Sequence, residues 1–140
     1  MGLKFHPDPG VVVICDFSGF KEPEMVKRRP AIVISPRFRQ RDDLCTIVPL
    51  STTPPRSVCK FHHRIQFDPR MPDPYGEEWM WVKADMVSAV SFARLTLPWE
   101  GRDLQGNRVY DVRKISDVDL KAIKACVLHA LGMGHLTPHL

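Results

Sequence analysis

Hydrophobic residues are grouped in short runs along most of the chain, a pattern typical of β-strands. Apolar, largely β-branched runs at 10–17, 30–35 and 44–50 predict three buried strands. Residues 61–67 alternate between apolar and polar side chains, which predicts a strand with one buried face. A further strand is predicted over 79–85. The first two-thirds of the chain are therefore predicted to be β-structure.

Segments rich in polar residues, proline and glycine separate these strands. Loops are predicted at 18–29 and 68–78. One helical turn is predicted at 35–38, because a serine followed by a proline is typical of a helix start. Residues 94–97 are predicted to pair with 108–112. Thirteen prolines against eight glycines favour a bent sheet with many chain reversals over a helical bundle.

The last predicted element is an amphipathic helix. Ser116 is suited to cap its N-terminus, and Asp119 fits a variant of the capping box. Apolar residues recur at helical spacing before a glycine stop, at Leu120, Ile123, Val127, Leu131 and Gly132. We therefore expect one mainly β domain, with a small barrel-like sheet over about 10–112 and a C-terminal helix over about 117–131.

The net charge of this 140-residue chain is +4, and the surplus lies in its middle third. Residues 21–70 hold eleven Lys or Arg against five Asp or Glu, whereas the segments on either side are each slightly acidic. Such concentrated positive charge is expected of a protein that binds a polyanion. A solvated basic face without a partner is the alternative.

Hydropathy and cysteine usage indicate a cytoplasmic protein. No apolar run approaches the roughly 18 residues needed to cross a bilayer, and the first residues have no signal-peptide core. Cys15, Cys45 and Cys126 lie in apolar patterns and are predicted to be buried, reduced thiols.

A metal site is not expected. Cys59, His62 and His63 lie close together in the sequence, but they lack a second ligand pair at the spacing that zinc requires. We therefore predict neither a metal nor another cofactor.

Several motifs occur in an order typical of one known family. The glycine-led strand at 10–17 comes first, and Arg28-Arg29-Pro30 then leads into the apolar segment 31–36. Pro49-Leu50-Ser51-Thr52 closes the next strand, and Lys83-Ala84-Asp85 follows a later one. In these motifs the chain resembles the MazF/PemK (Kid) toxin endoribonucleases of bacterial type II toxin–antitoxin systems.

The resemblance implies a fold, an activity and partners. The fold would be a small SH3-like β-barrel with a C-terminal helix, assembled as a homodimer. The activity would be metal-independent cleavage of single-stranded RNA to a 2′,3′-cyclic phosphate and a 5′-hydroxyl. A cognate antitoxin would inhibit it by laying a disordered segment in the RNA groove.

The resemblance also implies candidate catalytic residues. Arg29 matches the family's strand-entering arginine, whose guanidinium fork suits phosphate oxygens. Ser51 and Thr52 match a hydroxyl pair that would donate to the same phosphate. Asp85 would be the general base, and Lys83 or Arg29 the general acid or charge stabiliser.

Each candidate also has a purely structural alternative. The arginine would pair with a nearby glutamate on the surface, the hydroxyls would cap a turn, and Asp85 would form a turn or a salt bridge. His62 and His63 have a side chain suited to acid–base chemistry. Because the two histidines alternate on one strand, they do not easily serve a single site.

Candidate RNA contacts come from the basic region and from loop aromatics. The charged candidates are Lys27, Arg28, Arg37, Arg56 and, matching an acidic loop residue of some family members, Glu24. The aromatic residues nearest to predicted loops, where bases would stack, are Phe20, Phe38, Phe61, Tyr75 and Trp99.

The chain departs from the family pattern in several places. Lys83 replaces the usual arginine, Pro23 stands where some members have a loop histidine, and Ser51 replaces a threonine. The segments 68–78 and 98–108 are longer than in a compact toxin. A catalytically inactive or altered barrel that binds RNA or, like the related gyrase-poisoning toxins, a protein is therefore the alternative function.

Overall fold

The computed structural model describes residues 2–140, which contain nine strands and one α-helix. The elements are β1 Val12–Cys15, β2 Arg29–Val33, β3 Leu44–Ser51, β4 His62–Gln66, β5 Trp79–Lys83, β6 Ser88–Ser91, β7 Leu95–Thr96, β8 Trp99–Arg102, β9 Arg108–Tyr110 and α1 Asp117–Ala130. Short 3₁₀ turns occupy Ala84–Met86, Phe92–Arg94 and Gly134–His139. No helix within residues 2–140 is long and apolar enough to cross a membrane. The expected mainly β fold with a C-terminal helix is confirmed.

Seven of these strands form one antiparallel sheet. Its order is β4-β5-β3-β2-β1-β7, and β6 also pairs with β3. The strands of residues 2–140 do not close into the expected barrel, because β7 is two residues long and pairs only with β1. The sheet is therefore open, with β4 and β7 at its two ends.

Strand β3 organises the sheet because it pairs along both edges. One edge of β3 is hydrogen-bonded to β2, with Ala31 opposite Pro49. On the other edge, the first half of β3 pairs with β6 and its last two residues pair with β5. The turn Ala84–Met86 separates these two partners, which corrects the expectation that the strand continues to Asp85. A turn here lets consecutive short strands reach different parts of β3.

Both faces are buried at the centre of the sheet, in β1, β2 and β3, which explains why these strands read as continuous apolar runs. Val48 and Leu50 of β3 belong to a core that includes Ile123 of α1. Cys45 and Ile47, which alternate with them, belong to a second core on the opposite face. The helix therefore covers one face, and the N-terminal loops cover the other.

Helix α1 begins as the sequence predicts. The Ser116 hydroxyl accepts a hydrogen bond from the Asp119 backbone N–H at 3.1 Å. His63 of β4 contacts the Asp119 carboxylate at 3.0 Å, so the cap also ties the helix to the sheet. The helix ends before Gly132, whose φ of 73° favours glycine.

The strand pairing predicted for 94–97 and 108–112 is wrong. Leu95 is fully buried in the second core and pairs with Cys15. Strand β9 pairs instead with its neighbour β8, so these two strands form a separate exposed hairpin. Burial of Leu95 and the short connection between β8 and β9 both oppose the predicted pairing.

The helical turn predicted at 35–38 is also absent. The Ser35 hydroxyl does not cap a helix there, because it accepts a hydrogen bond from the Thr46 backbone N–H at 2.9 Å. Phe38 instead forms an isolated bridge with Arg41.

The long loop 68–78 is fixed to the body of the protein at several points. Met71 is buried in the first core, and Tyr75 packs against that core. The Arg113 guanidinium donates to the backbone carbonyls of Pro69 and Arg70. This loop therefore has a defined position next to the start of β2.

Candidate active site

A cavity of about 270 Å³ lies where β2 begins and β3 ends. It brings together two residues that the sequence proposed for catalysis, Arg29 and Thr52. They meet because β2 and β3 are antiparallel, with Ala31 opposite Pro49, so the start of one strand lies beside the end of the other. The lining residues are Arg29, Pro30, Leu50, Thr52, Pro74, Tyr75, Glu77 and Met80.

Arg29 carries an unusual unpaired donor. Its Nε atom is buried and is the only buried side-chain nitrogen or oxygen within residues 2–140 that has no hydrogen-bond partner. A buried N–H without an acceptor costs about 1–3 kcal/mol. Arg29 also forms no salt bridge with another described residue, so the structural alternative of a glutamate-paired surface arginine does not hold. Arg29 as a whole is half-buried and lines the cavity, so the part of its guanidinium beyond the buried Nε can meet a ligand there.

The two hydroxyls that follow β3 have different surroundings. Ser51 is buried, and its Oγ accepts a hydrogen bond from the Thr53 backbone N–H at 3.1 Å, as in the turn-capping alternative. Thr52 is exposed and lines the cavity. Thr52 is therefore the hydroxyl that a ligand beside Arg29 would meet.

Tyr75 and Glu77 complete the cavity, and both come from the loop 68–78. Burial raises the pKa of the Tyr75 phenol, although the positive charges of Arg28 and Arg29 oppose this effect. Tyr75 therefore stays protonated at neutral pH. The sequence suggested Tyr75 only as a stacking residue and gave no indication of Glu77, because nothing local to the loop shows which strand it approaches.

Lys83 and Asp85 do not line this cavity. Asp85 lies in the turn Ala84–Met86 and lines a separate cavity of about 450 Å³ together with Glu24. Burial lowers the pKa of Lys83, and the charge of Asp85 opposes that shift. His62 faces Lys83 across β4 and β5, and its pKa is lowered by burial and then by Lys83. These side chains form an electrostatic group of their own.

The other predicted RNA contacts are spread over the surface. Arg28 lines a third cavity, of about 520 Å³, and its guanidinium lies 3.4 Å from the Asp16 carboxylate. Arg37 lines a fourth cavity near the N-terminus. Lys27 and Arg56 are exposed and line none of these cavities. Only Arg28 of these cations lies in a cavity that adjoins Arg29.

The sequence and the geometry lead to one family of proteins. A family model for the PemK-like, MazF-like toxins of type II toxin–antitoxin systems matches residues 8–131. The chain belongs to this toxin family. The resemblance seen in the strand and loop motifs is thereby confirmed.

Solved structures of MazF toxins have a similar fold. MazF from Deinococcus radiodurans superposes with a TM-score of 0.60 at 21% identity, covering 93% of this chain and 100% of that protein. A mycobacterial endoribonuclease in complex with its cognate antitoxin gives a TM-score of 0.57 at 19% identity, covering 91% and 96%. The Mycobacterium tuberculosis toxin MazF-mt6 gives 0.55 at 13% identity, covering 89% and 97%. No curated protein matches the chain.

The thiols and histidines of this MazF-like chain have ordinary structural surroundings. Cys15, Cys45 and Cys126 are buried as predicted, and Cys59 is exposed. His63 is held by Asp119 rather than directed at the Arg29 cavity. Within residues 2–140, no three His, Cys, Asp or Glu side chains are grouped so that they could hold a metal ion.

Proposed function

We propose that this toxin-family chain is an endoribonuclease that cleaves single-stranded RNA without a metal ion. The observation that supports this proposal is that Arg29, which forms no salt bridge with another described residue, lines one cavity together with the exposed Thr52. A phosphodiester in this cavity would accept hydrogen bonds from the accessible part of the guanidinium. The 2′-hydroxyl of the ribose whose 3′-oxygen carries this phosphate would attack the phosphorus, and the bond from phosphorus to the 5′-oxygen of the next nucleotide would break. The products are a 2′,3′-cyclic phosphate and a 5′-hydroxyl.

Arg29 and Thr52 would stabilise the phosphate during this reaction. A guanidinium offers several donors in a rigid plane that matches phosphate oxygens. Negative charge grows on those oxygens in the transition state, so donors already in place there lower the barrier. The hydroxyl of Thr52, which directly follows β3, would add a neutral donor to the same phosphate.

The general base is proposed to be a carboxylate of this region. Glu77 shares the cavity with Arg29 and Thr52, so it is suited to take the proton of the 2′-hydroxyl. Asp85, the candidate from the sequence, lines a different cavity and stays a prediction. The leaving 5′-oxygen would take its proton from Arg29, the candidate acid that lines this cavity, whereas Lys83 lies outside it and stays a prediction.

Cleavage of a single-stranded RNA in the presence of EDTA tests this function. The wild type should release fragments with cyclic phosphate and 5′-hydroxyl ends, and Arg29→Ala and Thr52→Ala should lower the rate at least 100-fold. Arg39→Ala removes an exposed arginine that lines none of the cavities, and it should cleave like the wild type. Wild-type protein that leaves the RNA intact would refute the proposal. Growth arrest with intact RNA would point to the protein-binding alternative.

A second comparison separates the two candidate bases. Glu77→Gln and Asp85→Asn each remove a negative charge while keeping the shape of the side chain. If Glu77 is the base, Glu77→Gln should lower kcat strongly, whereas Asp85→Asn should leave it near the wild-type value. The opposite pattern would restore Asp85 as the base.

We further propose that the chain forms a homodimer in the cytoplasm and is neutralised by a cognate antitoxin. The family description and the solved complexes of similar toxins with antitoxins support the antitoxin partner. The homodimer rests on the family resemblance alone. Light scattering of the purified chain should give twice the mass of 16.0 kDa. Co-expression of the antitoxin should restore growth and suppress RNA cleavage.

A further inference from the structure

The cavity beside the candidate active site has no assigned role. It has a volume of about 520 Å³ and shares two lining residues, Pro74 and Tyr75, with the cavity of Arg29 and Thr52. This volume lies within the range of about 300–1,000 Å³ typical of small-ligand sites. Because the two cavities share a wall, an RNA whose phosphate is held at Arg29 can place the neighbouring nucleotide in this second cavity.

An exposed hairpin builds the outer wall of this cavity. Strands β8 and β9 form a two-stranded sheet apart from the main sheet, and Trp99 and Glu100 of β8 line the cavity. The Asp111 backbone N–H donates to the Pro98 carbonyl at 2.7 Å, which closes the base of the hairpin. The Arg108 guanidinium lies 4.4 Å from the centre of the Trp99 ring. The indole is thus held in place although 38% of the residue is exposed.

The chemistry of the lining fits a flat, polar-edged ligand. Tyr75 and Trp99 offer aromatic surfaces on which a base can stack. Glu100 and Asp73 offer carboxylate oxygens, which accept hydrogen bonds and repel phosphate. The single cation of the lining, Arg28, already lies 3.4 Å from the Asp16 carboxylate.

We propose that this cavity receives one unpaired base of the RNA, next to the phosphate held at Arg29, and selects a base with an exocyclic amino group. Adenine, cytosine and guanine have such a group to donate to a carboxylate, whereas uracil has an oxygen in its place. The inference rests on the proposed endoribonuclease function. The hairpin therefore sets sequence preference at one position beside the cut.

The test uses uncleavable RNA, so that binding is measured apart from catalysis. Heptamers of 2′-O-methyl uridine carry adenine, cytosine or guanine at one position at a time, and dissociation constants are measured by fluorescence anisotropy. The wild type should bind about tenfold more tightly when an amino-bearing base occupies one particular position. Glu100→Gln should abolish most of this gain, because it removes the carboxylate that accepts from the amino group. Trp99→Ala should weaken the binding of every heptamer, because any base can stack on the indole, and should lose most of the gain as well.

Trp79 provides a matched control. It is also a partly exposed tryptophan, at 41%, with the Arg64 guanidinium 4.7 Å from its ring centre, but it lines none of these cavities. Trp79→Ala should keep the full base preference. Equal loss in Trp79→Ala and Trp99→Ala, or a preference that survives Glu100→Gln and Trp99→Ala, would overturn the inference.

Cleavage of the matching unmodified RNA separates this inference from the proposed function. Base-selective binding that depends on Trp99, without cleavage by the wild type, would retain the base pocket and refute the endoribonuclease. Cleavage that depends on Arg29 but shows no preference involving Trp99 or Glu100 would retain the endoribonuclease and refute the base pocket.

Discussion

Replacement of Arg29 by methionine should stabilise the protein while removing its activity. The buried Arg29 Nε has no acceptor, and such a donor costs about 1–3 kcal/mol. Methionine keeps an apolar chain of similar length and removes the donor. We therefore expect the free energy of unfolding to rise by about 1–2 kcal/mol, which corresponds to a Tm increase of roughly 3–8 °C. RNA cleavage should fall by about 10²–10³-fold.

Arg28 provides the matched control for stability. It precedes Arg29 in the sequence, but its side chain is 61% exposed and lies 3.4 Å from the Asp16 carboxylate. Exposed ion pairs contribute about 0–1 kcal/mol. The Arg28→Met variant should therefore be unchanged or slightly less stable than the wild type.

Urea unfolding followed by tryptophan fluorescence measures both variants under one set of conditions. The reasoning would be refuted if Arg29→Met were less stable than Arg28→Met, since the donor would then be satisfied in the native protein. It would also be refuted if Arg29→Met were stabilised and still cleaved RNA at the wild-type rate.

Three other predictions concern groups outside the cavity. Burial raises the pKa of the Cys15 thiol to about 12. At pH 8 we therefore expect only the exposed Cys59 to react rapidly with a thiol reagent. The Cys59→Ser variant should lose that rapid reaction. Burial lowers the pKa of His62 below 6.5, and its Nδ1 accepts from the Cys59 backbone N–H, so native protein favours the neutral ring. Stability should hence fall as the pH drops below 6.5, and a His62→Asn variant should show a flatter pH profile in thermal melts. Ser116→Ala should lower the free energy of unfolding by about 1 kcal/mol in urea titrations, whereas Ser116→Asn, which can still accept from Asp119, should not.

The sequence predicted the parts of the fold that depend on local patterns. The buried strands β1, β2 and β3 could be found because a strand covered on both faces is apolar throughout. Helix α1 could be found because its spacing, its serine cap and its glycine stop all agree. The pairing of β8 with β9 was missed because the apolar residues of 94–97 serve a core that involves Cys15, which is about eighty residues away in the chain.

The sequence also predicted part of the candidate site, because two of its residues adjoin strands that local patterns reveal. Arg29 and Thr52 lie at the joined ends of two predicted strands, so their motifs remain neighbours in space. Tyr75 and Glu77 reach the cavity because Arg113 and the first core hold their loop in place. That anchoring joins segments more than forty residues apart and has no signature in the loop itself. The separation of Asp85 from Arg29 follows from a turn that the strand pattern concealed.

The burial of both faces of β3 has a consequence for how the molecule unfolds. Neighbouring residues of this one strand, such as Ile47 and Val48, belong to opposite cores. Neither core can melt without removing a wall of the other, so the two layers form a single cooperative unit. A truncation on either side, Ile47→Ala or Val48→Ala, should displace one common denaturation transition instead of generating a half-folded species.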